Sequence, residues 1–309
     1  MTTRLGLGLP QMKQYAIGRD IPQVARAAEE IGYESLWVFE RVLFPEPATQ
    51  GLYGVPGLPW PDQYRSVADP LVSLTLAAGA TSRARLGTSV LVAPLHIPFQ
   101  LARALASLDA ASGGRVVAGF GTGWSHDEYA AASVAPFEQR GRVLDELIDV
   151  CRAVWGPDPV SYKGELTTIA PAEVGPKPAG PLPILLAAGG PKARRRLVDR
   201  AEGWMPVSAG AEPLAREWAA LRETAEERGR TTPIRSVLRA NTEHTREPYT
   251  GEDRRPFQGS VDQIVEDLVA HAAIGLDEIF VDLQGRAADA AELTDLAAEV
   301  YEKARAAGV

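Results

Sequence analysis

The sequence predicts an α/β protein, specifically a (β/α)8 TIM barrel with insertions. Three observations carry that reading. Eight short apolar runs alternate with segments of helical periodicity along the 309 residues. The runs are continuously apolar, as strands buried on both faces are, and do not alternate with polar residues. Several end in glycine or hydroxyl residues, the feature of α/β proteins whose ligands sit at the carboxyl ends of parallel strands. A barrel of roughly 250 residues fits within this length as one domain. An open doubly wound sheet is the competing architecture.

The strand runs fall at 5–9, 35–40, 85–92, 116–121, 184–188, 203–207, 234–240 and 278–283. Helical stripes lie between them. One runs through Val143, Leu144, Leu147, Ile148, Cys151, Val154 and Trp155; another joins Val261, Ile264, Val265, Leu268 and Val269. Leu293, Leu296, Val300 and Tyr301 form the last. Residues 86–124, LGTSVLVAPLHIPFQLARALASLDAASGGRVVAGFGTGW, read as a complete strand–helix–strand unit.

Three insertions interrupt the alternation, at 41–68, 156–183 and 242–259. The first is rich in Pro, Gly, Tyr and Trp. The second is Pro-rich and contains SYKGELTTI, a hairpin pattern. The third is polar and charged. The first two exceed ordinary connections, which suits lids or binding loops better than linkers. Residues 1–309 are therefore expected to form a single domain.

Composition narrows the function classes. There are 32 basic and 40 acidic residues, a formal charge of −8, which disfavours nucleic acid as a partner. No run of 18 apolar residues is present, so no transmembrane helix is expected, and MTTRLGLGLPQM is too short in apolar residues for a signal peptide. Cys151 is the only cysteine, which argues for a reducing cytoplasm. His96, His126, His244 and His271 lack ligand spacing, so no metal site is expected.

Candidate site residues cluster at the ends of strand runs. Gly119, Gly121, Thr122 and Gly123 lie at the end of the fourth run, where glycine lets backbone N–H groups approach a ligand; a plain turn is the alternative. The dinucleotide pattern fails because Trp124 stands at its last glycine position. Ala187, Ala188, Gly189 and Gly190 end the fifth run, and Pro191 opens a helix whose N–H groups would attract an anion. Lys192, Arg194, Arg195 and Arg196 then crowd the first turns against the helix dipole, which an anion there would relieve; a solvated basic face is the other reading. Glu40 and Arg41 close the second run, as proton acceptor and anion clamp or as a surface ion pair. Trp60, Tyr64 and Trp124 offer aromatic surface for a planar ligand, and His126 a proton donor or a hydrogen-bonded surface imidazole. Trp37 lies within a strand and reads as core.

Together these segments resemble the luciferase-like oxidoreductase family, in particular its branch using the deazaflavin coenzyme F420. The resemblance rests on ARAAEEIGYESLW, SLWVFERVLFP, DPLVSLTLAAGATSRARLGTSVLVAP, LDAASGGRVVAGFGTGW, FEQRGRVLDELIDVCRAVW, VGPKP and ILLAAGG, in that order. It implies a barrel carrying a flat isoalloxazine-type ring at its carboxyl-end mouth. It also implies a non-proline cis peptide at Ser89–Val90 backing that ring, cofactor contact by residues 121–123, and approach of 187–190 to the cofactor phosphate. It places Glu40 and Arg41 at the acidic-plus-histidine position of deazaflavin-dependent sugar-phosphate dehydrogenases. Arg41 replaces their histidine base, and Trp124 stands where they have a glutamate.

An arginine stays protonated. The departures thus point away from alcohol oxidation and toward hydride delivery from reduced F420 to a C=C, C=N or C=O acceptor, with Glu40 and Arg41 as the catalytic candidates. The alternatives are an FMN-dependent monooxygenase served by a separate cofactor-reducing enzyme, and a flavin-binding barrel without turnover. The resemblance further implies a homodimer, with the apolar segments 71–80 and 101–111 as contact candidates.

Overall fold

The computed structural model describes residues 2–207 and 209–309. The eight runs become the parallel strands β1 (Arg4–Gly8), β2 (Ser35–Val38), β3 (Arg85–Thr88), β4 (Val116–Gly121), β5 (Ile184–Leu186), β6 (Gly203–Trp204), β7 (Arg235–Asn241) and β8 (Glu278–Asp282). Each pairs with the next, and β8 returns to β1 through Arg4↔Glu278, Leu5↔Ile279, Gly6↔Phe280 and Leu7↔Val281. The ring is closed, which excludes the open sheet. Around it run α1 (Ile17–Ile31), α2 (Pro70–Ala80), α3 (Pro98–Ser112), α4 (His126–Ala132), α5 (Arg140–Trp155), α6 (Gly190–Arg200), α7 (Ala211–Glu227), α8 (Val261–Ala272) and α9 (Ala290–Ala306).

Two cores explain the continuous apolar runs. Outward-facing Leu5, Leu7, Leu36 and Leu86 pack with helix residues such as Ile21, Leu74, Leu105 and Leu147. Inward-facing Trp37, Val117, Leu185, Met205, Val237 and Phe280 fill the barrel. Trp37 stacks on Phe280 with centroids 5.1 Å apart. Glycine makes room for it: a Cβ on Gly87 would lie 2.2 Å from the Trp37 ring. At the amino-terminal end the buried Glu278 carboxylate accepts bonds from Ser35 Oγ (2.5 Å), Trp37 Nε1 (2.9 Å) and the Arg85 guanidinium.

The runs overshoot the strands at the mouth. The fifth and sixth end at Leu186 and Trp204, and the second at Val38. The third is interrupted at Ser89–Val90, which is a cis peptide, and resumes at Leu91–Val92 against Phe120 and Gly121. Phe39, Ala187, Met205, Pro206 and Val207, past these points, line the mouth cavity.

The first insertion folds into short 3-10 turns at Leu52–Gly54 and Asp62–Arg65. Buried Gln11 pins both its ends: Nε2 donates to Phe39 O and Ala68 O (3.1 Å each), and Oε1 accepts from Phe39 N (2.8 Å). The second insertion contains the expected hairpin, Val160–Lys163 antiparallel to Thr168–Ala172. In the third, Glu243–His244 pairs with Gln258–Gly259.

Candidate active site

A cavity of about 520 Å³ opens at the carboxyl ends of the strands, within the size range of small-molecule sites. Phe39, Val90, Val92, Ala187, Met205 and Pro206 give it apolar walls; Glu40, Arg41, Ser89, Arg239 and Asn241 supply polar groups.

The end of β2 contributes Glu40 and Arg41. Glu40 is buried, with Oε2 accepting from Val92 N at 2.6 Å and Oε1 lying 2.9 Å from His96 Nε2. Arg41 is ion-paired with Glu128 of α4 at 2.7 Å. Its guanidinium lies 4.9 Å from the Trp124 ring centroid, 5.5 Å from Trp60 and 5.9 Å from Tyr64, within cation–π range. Its Nε is buried without a hydrogen-bond partner among the described residues. Arg41 is therefore a paired, caged cation and not a surface ion pair.

Between β3 and β4 the glycines answer to close approach. A Cβ on Gly119 would meet Thr88 O at 1.9 Å; on Gly121, Val90 Cγ2 at 2.6 Å; on Gly123, Val92 Cγ1 at 2.5 Å. Gly123 also has φ +68°. The broken third strand presses against β4, and only glycine fits there. Gly121, Thr122 and Gly123 line the cavity together with Ser89 and Val90, which adjoin them. The Ser89 carbonyl accepts from Arg239 Nη1 at 3.1 Å, and Arg239 Nε and Nη2 reach Asp282 at 3.0 and 2.5 Å. The buried Asp282 charge raises the guanidinium pKa against the opposing effect of desolvation.

Ala187 lines the cavity; Ala188, Gly189 and Gly190 continue along the rim into α6. Gly189 and Gly190 are exposed, and a Cβ on either would meet nothing within 4 Å. Of the four cations at the start of α6, Arg196 does not face that rim. It bonds Asp145 of α5 at 2.7 Å, which is a structural reason for its presence.

The aromatic candidates divide. Tyr64 and Trp124 line the cavity. Burial pushes the Tyr64 phenol pKa above the ordinary tyrosine value. Trp60 stands behind Trp124, 5.2 Å away, with its indole N–H given to Gln50 O, so it supports the wall without lining it. His126 is a correction: it is exposed at the start of α4, against Phe137 at 4.3 Å, and does not line the cavity. Sequence reasoning missed His96, Arg239 and Asp282. The last two carried a signal, charges on neighbouring strands that otherwise read as apolar.

The closed ring and its carboxyl-end cavity define an α/β-barrel protein with a small-molecule site at the mouth. The chain belongs to the luciferase-like monooxygenase family, whose profile matches residues 6–248. An uncharacterized protein of Mycobacterium tuberculosis is 37% identical over 59% of this chain and 65% of its own length. An F420-dependent glucose-6-phosphate dehydrogenase of Kineococcus radiotolerans is 32% identical over 71% of this chain and 61% of its own. The matched stretch is thus under two thirds of either relative. The solved structure of an F420-dependent secondary alcohol dehydrogenase, in complex with an F420–acetone adduct, superposes with a TM-score of 0.78 over 99% of this chain and 100% of that one. At 18% identity that likeness is one of fold.

Proposed function

We propose that this protein is an F420-dependent oxidoreductase that passes hydride between the reduced coenzyme and a small organic acceptor bearing a C=C, C=N or C=O bond. The observation that carries the reading is the cavity wall in which Ser89–Val90 packs against Gly121 and forms one side of a largely apolar slot. The F420-dependent relative among the sequence matches supports the choice of cofactor. The residues fit such a group: the slot's size and apolar walls suit a flat tricycle, and the glycines leave its faces clear. Reduced F420 supplies the hydride when bound.

In this reading Ser89 and Val90 back the ring, Gly121, Thr122 and Gly123 face it, and the rim from Ala187 through Ala188, Gly189 and Gly190 receives the phosphate at the α6 N-terminus. Tyr64 and Trp124 shape the acceptor end. Arg41 is protonated and already paired with Glu128, so it holds charge and cannot serve as a base. That favours reduction of an acceptor over oxidation of an alcohol. The whole chain acts as one barrel domain. The apolar α2, with Val72 54% exposed, is the proposed dimer face.

Titration with F420 and FMN side by side, followed by native mass spectrometry, tests the cofactor. Tight binding of F420 with at least about tenfold weaker FMN, a difference of about 1.4 kcal/mol, is expected. Binding of FMN alone would overturn the reading.

A further inference from the structure

Adding hydride to a C=X bond leaves a negative charge that must be quenched by a proton. Among the described cavity-lining residues few groups can supply one. Arg41 and Arg239 stay protonated. Tyr53 and Tyr64 are phenols, and burial makes Tyr64 a still weaker acid. Glu40 remains, and it is not isolated. Its Oε1 lies 2.9 Å from His96 Nε2, while the Glu40 side chain is 3% exposed and the His96 side chain 23%. His96 follows the 3-10 turn Ala93–Leu95, directly after the resumed third strand, and does not line the cavity. A carboxyl group on the cavity wall is thus bonded to an imidazole that reaches the outside. Imidazole is the side chain whose ordinary pKa suits proton exchange near neutral pH.

We infer that Glu40 and His96 form the route by which a proton enters the cavity, with Glu40 meeting the acceptor and His96 positioning and recharging it. This rests on the F420 reading of the cavity. The step balances as follows. Reduced F420, when bound, would supply a hydride to the acceptor carbon, which would leave the π pair on the far atom of the C=X bond. That atom takes a proton from the Glu40 carboxyl as His96 Nε2 gives its proton to Glu40. The neutral imidazole then takes a proton from solvent. One hydride and one proton are consumed, and the acceptor is reduced by two electrons.

The test uses the full chain with His96→Gln, which keeps a hydrogen-bond donor but relays no proton, and His96→Ala. Loss of an acid–base group typically lowers turnover on the order of a hundredfold or more, and that fall in kcat is expected for both. F420 affinity and acceptor KM should stay within about twofold, and added imidazole should restore turnover to His96→Ala alone, since only that variant leaves a cavity for it. An undiminished kcat, or a fall in F420 affinity matching the fall in kcat without imidazole rescue, would overturn the inference. A second measurement needs no cofactor. Side-chain ¹⁵N NMR of the histidines should show the His96 Nε2 resonance move on Glu40→Gln; coincident spectra would mean that the pair does not exist. Failure of the F420 reading would instead appear as absent F420 binding in the unmutated chain, with this NMR shift intact.

Discussion

The two ends of the barrel hold similar groups and use them differently. Strand β8 carries Glu278 at one end and Asp282 at the other, four residues apart and so on one face of the strand. Both carboxylates are buried and both bond arginine, Glu278 to Arg85 and Asp282 to Arg239. Between them sits Phe280, stacked on Trp37. Below Phe280 the remaining partners of Glu278 are Ser35, Trp37 and Arg4, the last an ion pair at 3.5 Å, and side chains fill the barrel. Above it Arg239 and its neighbours border about 520 Å³ of cavity. The chemistry of a buried ion pair is therefore no sign of function by itself. What separates the ends is whether the strands continue into packed side chains or into loops that stop short of closing.

The largest effect should come from breaking the closed end. Glu278→Ala leaves Arg85 and Ser35 without their acceptor, strips Arg4 of its ion pair and leaves the Trp37 N–H only Ser35 Oγ, and removing one partner of a buried pair costs about 3 kcal/mol or more. Urea unfolding should show that loss, while F420 affinity of the folded protein stays within about twofold. A stability change below about 1 kcal/mol would show that the bottom is not organised around this carboxylate.

Arg239→Met comes next and should reverse the pattern. It removes the donor to the Ser89 carbonyl and leaves Asp282 beside a cavity that water can enter. Stability should fall by only about 1–2 kcal/mol, and F420 affinity by about tenfold or more, the scale of a lost hydrogen bond to a charged group. If stability fell as far as in Glu278→Ala with F420 affinity intact, the contrast between the ends would collapse.

A third pair of substitutions sharpens the comparison within the mouth. Gly121→Val places a branched side chain 2.6 Å from Val90, so both stability and cofactor affinity should drop. At Gly189 a Cβ would meet no protein atom within 4 Å, so Gly189→Val should keep the barrel and lose only the better α6 N-cap. Beyond that, its cost should appear as an F420 affinity about fivefold weaker, or about 1 kcal/mol, if the rim takes the phosphate. Equal affinity by calorimetry would remove Gly189 from the site.

The barrel was legible because a parallel strand covered on both faces is mostly apolar, as at LGLGL and at IFV (279–281) between Glu278 and Asp282. The ends of those runs were not, because residues such as Met205, Pro206 and Ala187 are equally apolar whether they extend a ladder or face a cavity. Glycines at 119, 121 and 123 could be found but not explained, since their cause is the approach of Thr88, Val90 and Val92, each 31 residues earlier in sequence. His96 was invisible for a similar reason. It sits 56 residues from Glu40, and nothing local distinguishes it from a surface imidazole. Arg196 misled in the opposite sense: its charge near the α6 N-terminus looked like an anion site, but its partner is Asp145 on α5.

The smallest effect tests the boundary of the mouth itself. Trp124 and Trp60 both flank the Arg41 guanidinium, at 4.9 and 5.5 Å, yet only Trp124 lines the cavity. Trp60→Leu removes one wall of the cage, worth about 0.5–1 kcal/mol at a partly exposed site, and frees Gln50 O. Thermal unfolding should register that loss, with acceptor KM moving by about twofold at most. Trp124→Leu removes a wall that the acceptor meets, so KM should rise several times further at comparable stability. Equal KM changes in the two variants would mean that the aromatic cage moves as a unit and that the cavity extends past Trp124 to Trp60.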